Sequence, residues 1–127
     1  MRAGPYAEVD GVTYPAVALH GPTVRILAFG DEQPLPGFEH DGWDRWGRLV
    51  DRSAISRLFW VQTTATWSGR TVTVDNVVGN KATFSYDGDD LPLDNPAVRR
   101  IGRFEWQGTV PVDELSDVVE VVTDVPL

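Results

Sequence analysis

Residues 65–86 read ATWSGRTVTVDNVVGNKATFSY, and their reading decides the fold. Thr71-Val72-Thr73-Val74 alternates polar and apolar β-branched residues with period two, the pattern of a half-buried strand. Two turn dipeptides, Ser68-Gly69 and Gly79-Asn80, cut the stretch into three pieces. Glycine accepts the positive φ that a tight hairpin demands, so each dipeptide reads as a reversal between antiparallel strands. The stretch therefore predicts a three-stranded meander over Val61–Trp67, Arg70–Val77 and Ala82–Tyr86.

Moving outward, the same grammar recurs upstream. At an offset of 58, Ala7-x-Val9-x-Gly11 aligns with Ala65-x-Trp67-x-Gly69, Gly21 with Gly79, and Val24-x-Ile26-x-Ala28 with Ala82-x-Phe84-x-Tyr86. Gly30-Asp31 then meets Gly88-Asp89, Pro34-Leu35 meets Pro92-Leu93, and Arg45-Trp46 meets Arg103-Phe104. Beyond that point the offset becomes 60, with Val50, Ile55 and Leu58 over Val110, Leu115 and Val118. A two-residue insertion carrying Trp106 accounts for the change. Each copy then predicts a meander, a long Gly/Pro/Asp-rich loop, a fourth strand (46–50 or 104–110) and a short helix. Ala54, Ile55, Leu58 and Phe59 fall on one helical face, as do Leu115, Val118 and Val119, with Asp113 placed as an N-cap.

The expected fold class is mainly β with short helices: two tandem pseudo-symmetric β-β-β-β-α units, each an SH3-like small barrel. Repeat one spans 5–60 and repeat two 61–122. A 60-residue unit without staples is marginally stable alone, so both are expected to pack as one domain over 1–127.

Composition narrows the function classes. With no cysteine, disulfides and thiolate metal sites are excluded. The chain carries 19 acidic against 11 basic residues, net −8, which repels phosphate backbones and argues against nucleic acid. The same charge attracts a basic protein partner, or serves solubility alone. Residues 1–6 lack the apolar run of a signal peptide, and no stretch is long and apolar enough to span a membrane. The expected location is cytoplasmic, with no membrane partner.

Catalytic motifs are thin. There is no Gly-x-Ser-x-Gly elbow, phosphate-binding glycine loop or dinucleotide fingerprint. His20 precedes the turn Gly21-Pro22, and His40 lies in the acidic loop Phe38-Glu39-His40-Asp41. Asp87-Gly88-Asp89-Asp90 resembles the start of a calcium loop, but no Glu arrives at its twelfth position. The expectation is a binding protein and not an enzyme, with no catalytic residue, metal or cofactor.

Its candidate partner-binding residues are Asp31, Glu32, Asp41 and Asp44 in the long loop of repeat one, and Asp87, Asp89 and Asp90 in that of repeat two. Trp60 and Trp106 join them. Trp60 aligns with Glu120, and Trp106 sits in the insertion, so repeat symmetry supplies no reason to bury either. They are exposed anchors, or else they pack between the units. Trp46 (over Phe104), Trp43 (over Ile101) and Trp67 (over Val9) are read as core.

In the second copy, Trp67-Ser68-Gly69, Phe84-Ser85-Tyr86-Asp87-Gly88 and the run from Gly108 to Leu115 resemble small duplicated actinobacterial proteins of toxin clusters, which resemble immunity proteins of polymorphic or secreted toxins. Copy one departs from the pattern, with Asp51 and Arg52 in place of Pro111 and Val112. The resemblance implies a rigid inhibitor of a cognate toxin: a nuclease, NAD-glycohydrolase or ADP-ribosyltransferase whose basic cleft is occluded by an acidic surface. It implies no particular site residue. Two alternatives stay open: an adaptor or regulator that docks a non-toxin protein, and an enzyme using loop carboxylates on a small molecule.

Overall fold

The computed structural model describes residues 1–30, 33–42, 44–88 and 95–127. Among these the chain is mainly antiparallel β-structure, with almost no helix, and forms two compact units. One comprises 5–60 with 122–127; the other comprises 61–121 with 1–4.

The first unit starts with β1 (Gly4–Val9) and β2 (Val12–Val17), joined at Asp10-Gly11. Both turn residues have positive φ, 52° and 78°, the twist that matches flanking strands in a two-residue hairpin. Then come β3 (Thr23–Phe29), the two-residue β4 (Glu39–His40), β5 (Arg45–Asp51) and the first part of β6 (Arg57–Trp67). Strand order is β4-β5-β3-β2-β1-β6. Ala7, Val9, Ala16, Val24, Ile26, Phe38, Val50, Ile55 and Leu58 form its core.

The second unit is laid out from β6, β7 (Arg70–Val78), β8 (Lys81–Asp87), β9 (Val98–Arg100), β10 (Glu105–Pro111) and β11 (Ser116–Asp124). Its order is β11-β6-β7-β8-β10-β9. The opening hairpin turns on Ser68-Gly69, with φ of 50° and 76°. Val72 and Val74 point inward until a bulge between Val74 and Asn76 resets the alternation. Trp67 and Phe84 meet at 5.1 Å between ring centroids in a core completed by Val98, Trp106, Val110 and Leu115. Gly108 is dictated by that packing, since a Cβ there would run into the Phe84 ring.

The closing helices expected in each repeat are corrected. In their places stand single 3-10 turns, Arg52–Ala54 and Val112–Glu114, and strands β6 and β11 follow them. Asp113 caps nothing; Pro111 holds the N-cap position and makes no side-chain cap bond. The apolar spacing that reads as one helical face is also compatible with a strand. The β-branched residues that follow, Val61, Thr63, Thr64 and Thr66, and Val118, Val119, Val121 and Val122, suit a pleated surface, and pairing with neighbouring strands extends β6 back over residues 57–59.

Candidate interaction surface

Each unit carries one loop built on a fixed backbone frame. In the first, Gly30 donates its N–H to Asp44 O at 2.7 Å and accepts the Trp46 indole N–H at 3.0 Å. Asp41 N–H donates to Arg45 O at 2.7 Å and closes the tip. In the second, Gly88 N–H donates to Phe104 O at 2.7 Å, and the Trp106 indole donates to Gly88 O at 2.9 Å. There the tip closes through Ile101 N–H to Glu105 O at 2.9 Å. Gly30 and Gly88 both hold positive φ, 140° and 155°, a conformation that L side chains rarely adopt.

By these bonds Trp46 and Trp106 hold the same place in the two frames, whereas the sequence alignment sets Trp46 over Phe104. The consequence for burial is direct. Trp106 is 3% exposed, so it is a core residue and not an anchor. Phe104 and Ile101, read above as core partners, are 51% and 53% exposed.

The tips share a frame but not a chemistry. Residues 39–45 carry Glu39, Asp41 and Asp44 against Arg45; residues 99–105 carry Arg99, Arg100 and Arg103 against Glu105. At the first tip, Asp41 is ion-paired internally. Arg25 Nη2 lies 2.7 Å from its Oδ2 and Arg45 Nε 3.5 Å away. The hydrogen bond from Arg25 holds the Asp41 carboxyl below its ordinary value, and the charges of Arg25 and Arg45 act the same way. His40 packs its ring 4.9 Å from that of Trp46.

At the second tip, the Arg103 guanidinium lies over the Phe104 ring at 5.3 Å, and Arg100 sits 5.9 Å from the Trp106 ring centroid. Arg100 also donates to the carbonyls of Gly102 and Arg103, which fixes the turn. Arg99 donates to Gln107 Oε1 at 3.0 Å. Beside this tip, Asp87 lies directly opposite Glu105 on β8 and β10, a like-charge pair at the rim of a shallow hollow that also includes Ile101.

Of the candidate residues, Asp44 and Asp87 are exposed, and Trp60 is 47% exposed on β6. Asp41 is tied to arginines, and Trp106 is buried. Asp31, Glu32, Asp89 and Asp90 lie outside the described residues, as do Trp43 and, with those last two acids, the second half of the calcium-like run. The arginine–aromatic tip, Arg99 to Phe104, is absent from the candidates above. Its signal is the offset of 60 applied one loop earlier, which lays Gly102 over Gly42 and sets arginines where residues 39–44 have acids.

Among the described residues no helix is long and apolar enough to cross a membrane. Comparisons with family models, with curated proteins and with solved structures found no match.

Proposed function

We propose that this chain is a binding protein made from two copies of one small SH3-like barrel unit, and that it acts as an immunity-type inhibitor of a toxin. The duplication is supported by the strand orders, β4-β5-β3-β2-β1-β6 and β11-β6-β7-β8-β10-β9, which become the same order when read from β4 and β9. Equivalent 3-10 turns support it too: Arg52 N–H bonds Pro22 O at 3.0 Å, and Val112 N–H bonds Asn80 O at 2.8 Å.

The observation that carries the binding role is the pair of tips, one frame with opposite charge. A loop held by a rigid scaffold and varied only at its exposed side chains is how β proteins present recognition surfaces. The acidic tip, through Glu39 and Asp44, suits the basic cleft of an enzyme that acts on anionic substrates, such as a nuclease, NAD-glycohydrolase or ADP-ribosyltransferase. The second tip offers Arg103 and Phe104, residue types that dominate interface energetics. Location in the cytoplasm, where such a toxin would act, belongs to the same proposal.

The test is affinity capture of the tagged protein from its host at low salt, followed by assay of the captured partner's activity with and without the chain. A stoichiometric enzyme inhibited by the chain supports the reading. A partner with no activity that the chain suppresses moves it to an adaptor, the reading that the arginine–aromatic tip by itself would equally serve.

A further inference from the structure

β11 is exposed along its entire length. Val118 and Val122 are each 40% exposed, Val119 56% and Val121 55%. One side of the strand pairs with β6; among the described residues no strand pairs with the other. An open edge of this kind is a template for a further strand, and edges are usually blunted by lysine or proline. Residues 116–124 contain neither, and of their three acids only Glu120 falls within the valine run.

The hydrogen-bonding groups of an antiparallel strand alternate in direction. Val125 N–H donates to Leu58 O on β6 at 2.8 Å. By alternation, Val119, Val121 and Thr123 also turn their groups to β6, and Val118, Glu120 and Val122 turn theirs to the open side. The sequence over 118–122 is Val-Val-Glu-Val-Val, a palindrome about Glu120.

We infer that the occupant of this edge is β11 of a second copy, paired antiparallel about a two-fold axis through Glu120. That register sets Val118 opposite the second copy's Val122 and Val119 opposite its Val121, so every valine gains a valine. It also requires the groups of 118, 120 and 122 to face outward, which is the direction fixed independently by the bond at Val125. The palindrome and the backbone direction select one register. Glu120 meets its own mate on the axis, and in each copy Arg2 Nε stands 3.2 Å from Glu120 Oε2 to offset that charge. The contact is isologous and closes at two copies. It does not depend on what the tips bind.

The measurement is solution mass against protein concentration by sedimentation equilibrium. A monomer–dimer equilibrium is expected, lost in Val119→Lys/Val121→Lys with an unchanged far-ultraviolet circular dichroism spectrum, and tightened in Glu120→Gln. A second measurement does not rely on those variants folding. Glu120→Cys gives the chain a single thiol on the axis, where hydrogen-bonded Cα atoms about 5.5 Å apart suit a disulfide. It should oxidise to a covalent dimer much faster than Leu49→Cys, at a position 64% exposed on β5. A monomer at every concentration overturns the inference and leaves the edge to a strand of another protein. A dimer that survives the double lysine variant, or equal oxidation of the two thiols, overturns it as well.

Discussion

Arg25 and Asp41, on β3 and just after β4, form the closest ion pair of the first tip, with Nη2 and Oδ2 2.7 Å apart. The Arg25 guanidinium can lie there because it crosses the face of Gly47 on β5, where a Cβ would occupy its space. Asp41, a candidate acid for partner binding, is thus also tied within the chain, and Glu39 and Asp44 are the exposed acids of the tip.

The pairing has a pH signature. The Asp41 carboxyl is held below its ordinary value of 3.8, chiefly by the hydrogen bond from Arg25. A folded-state value below the unfolded one adds stability that is fully present above pH 3.8 and is lost as pH falls through the lower, folded value. Carboxyl NMR titration of Asp41 should show a depressed midpoint that returns toward 3.8 in Arg25→Gln. An unchanged midpoint in that variant would assign the shift elsewhere.

The two tryptophans singled out from sequence should separate sharply. Trp106→Phe removes the donor to the part-buried Gly88 O and part of the indole's packing in the core, a loss of about 1–3 kcal/mol. Trp60→Phe, at a half-exposed position on β6 where no core packing is lost, should cost less, about 0.5 kcal/mol. Urea denaturation of both variants checks the contrast, and similar losses would contradict it.

Gly108→Ala tests the packing against Phe84. A methyl there meets the ring and Val98 Cγ1, and overpacking of this kind costs about 1–3 kcal/mol. Adding Phe84→Leu should recover part of the loss, because the colliding ring is gone. Independent, additive losses in a double-mutant cycle would place the strain elsewhere.

Strands were legible from sequence wherever a local rule governs them. Asp10-Gly11 and Ser68-Gly69 announce their hairpins, and both adopt the positive φ that the dipeptides favour. The segments after Arg52 and Val112 were not legible. Ile55, Leu58 and Phe59 have spacing that suits a helix or a strand, and long-range pairing of β6 with its neighbours decides between them. The tips failed for a different reason. Arg45-Trp46 over Arg103-Phe104 is a good sequence match, yet the acceptors that locate each tryptophan are the carbonyls of Gly30 and Gly88, far back in the chain. Once those bonds fix the register, Phe104 leaves the core and Trp106 enters it.

The most direct test of the binding role is to repeat the capture with Asp44→Lys/Arg103→Glu/Phe104→Ala, three exposed tip positions outside both cores. Folding of the variant is verified by its urea midpoint. If the tips bind, a stoichiometric partner comes down with the native chain and is lost from the variant. The same partner held equally by both, or no partner with either, would contradict it.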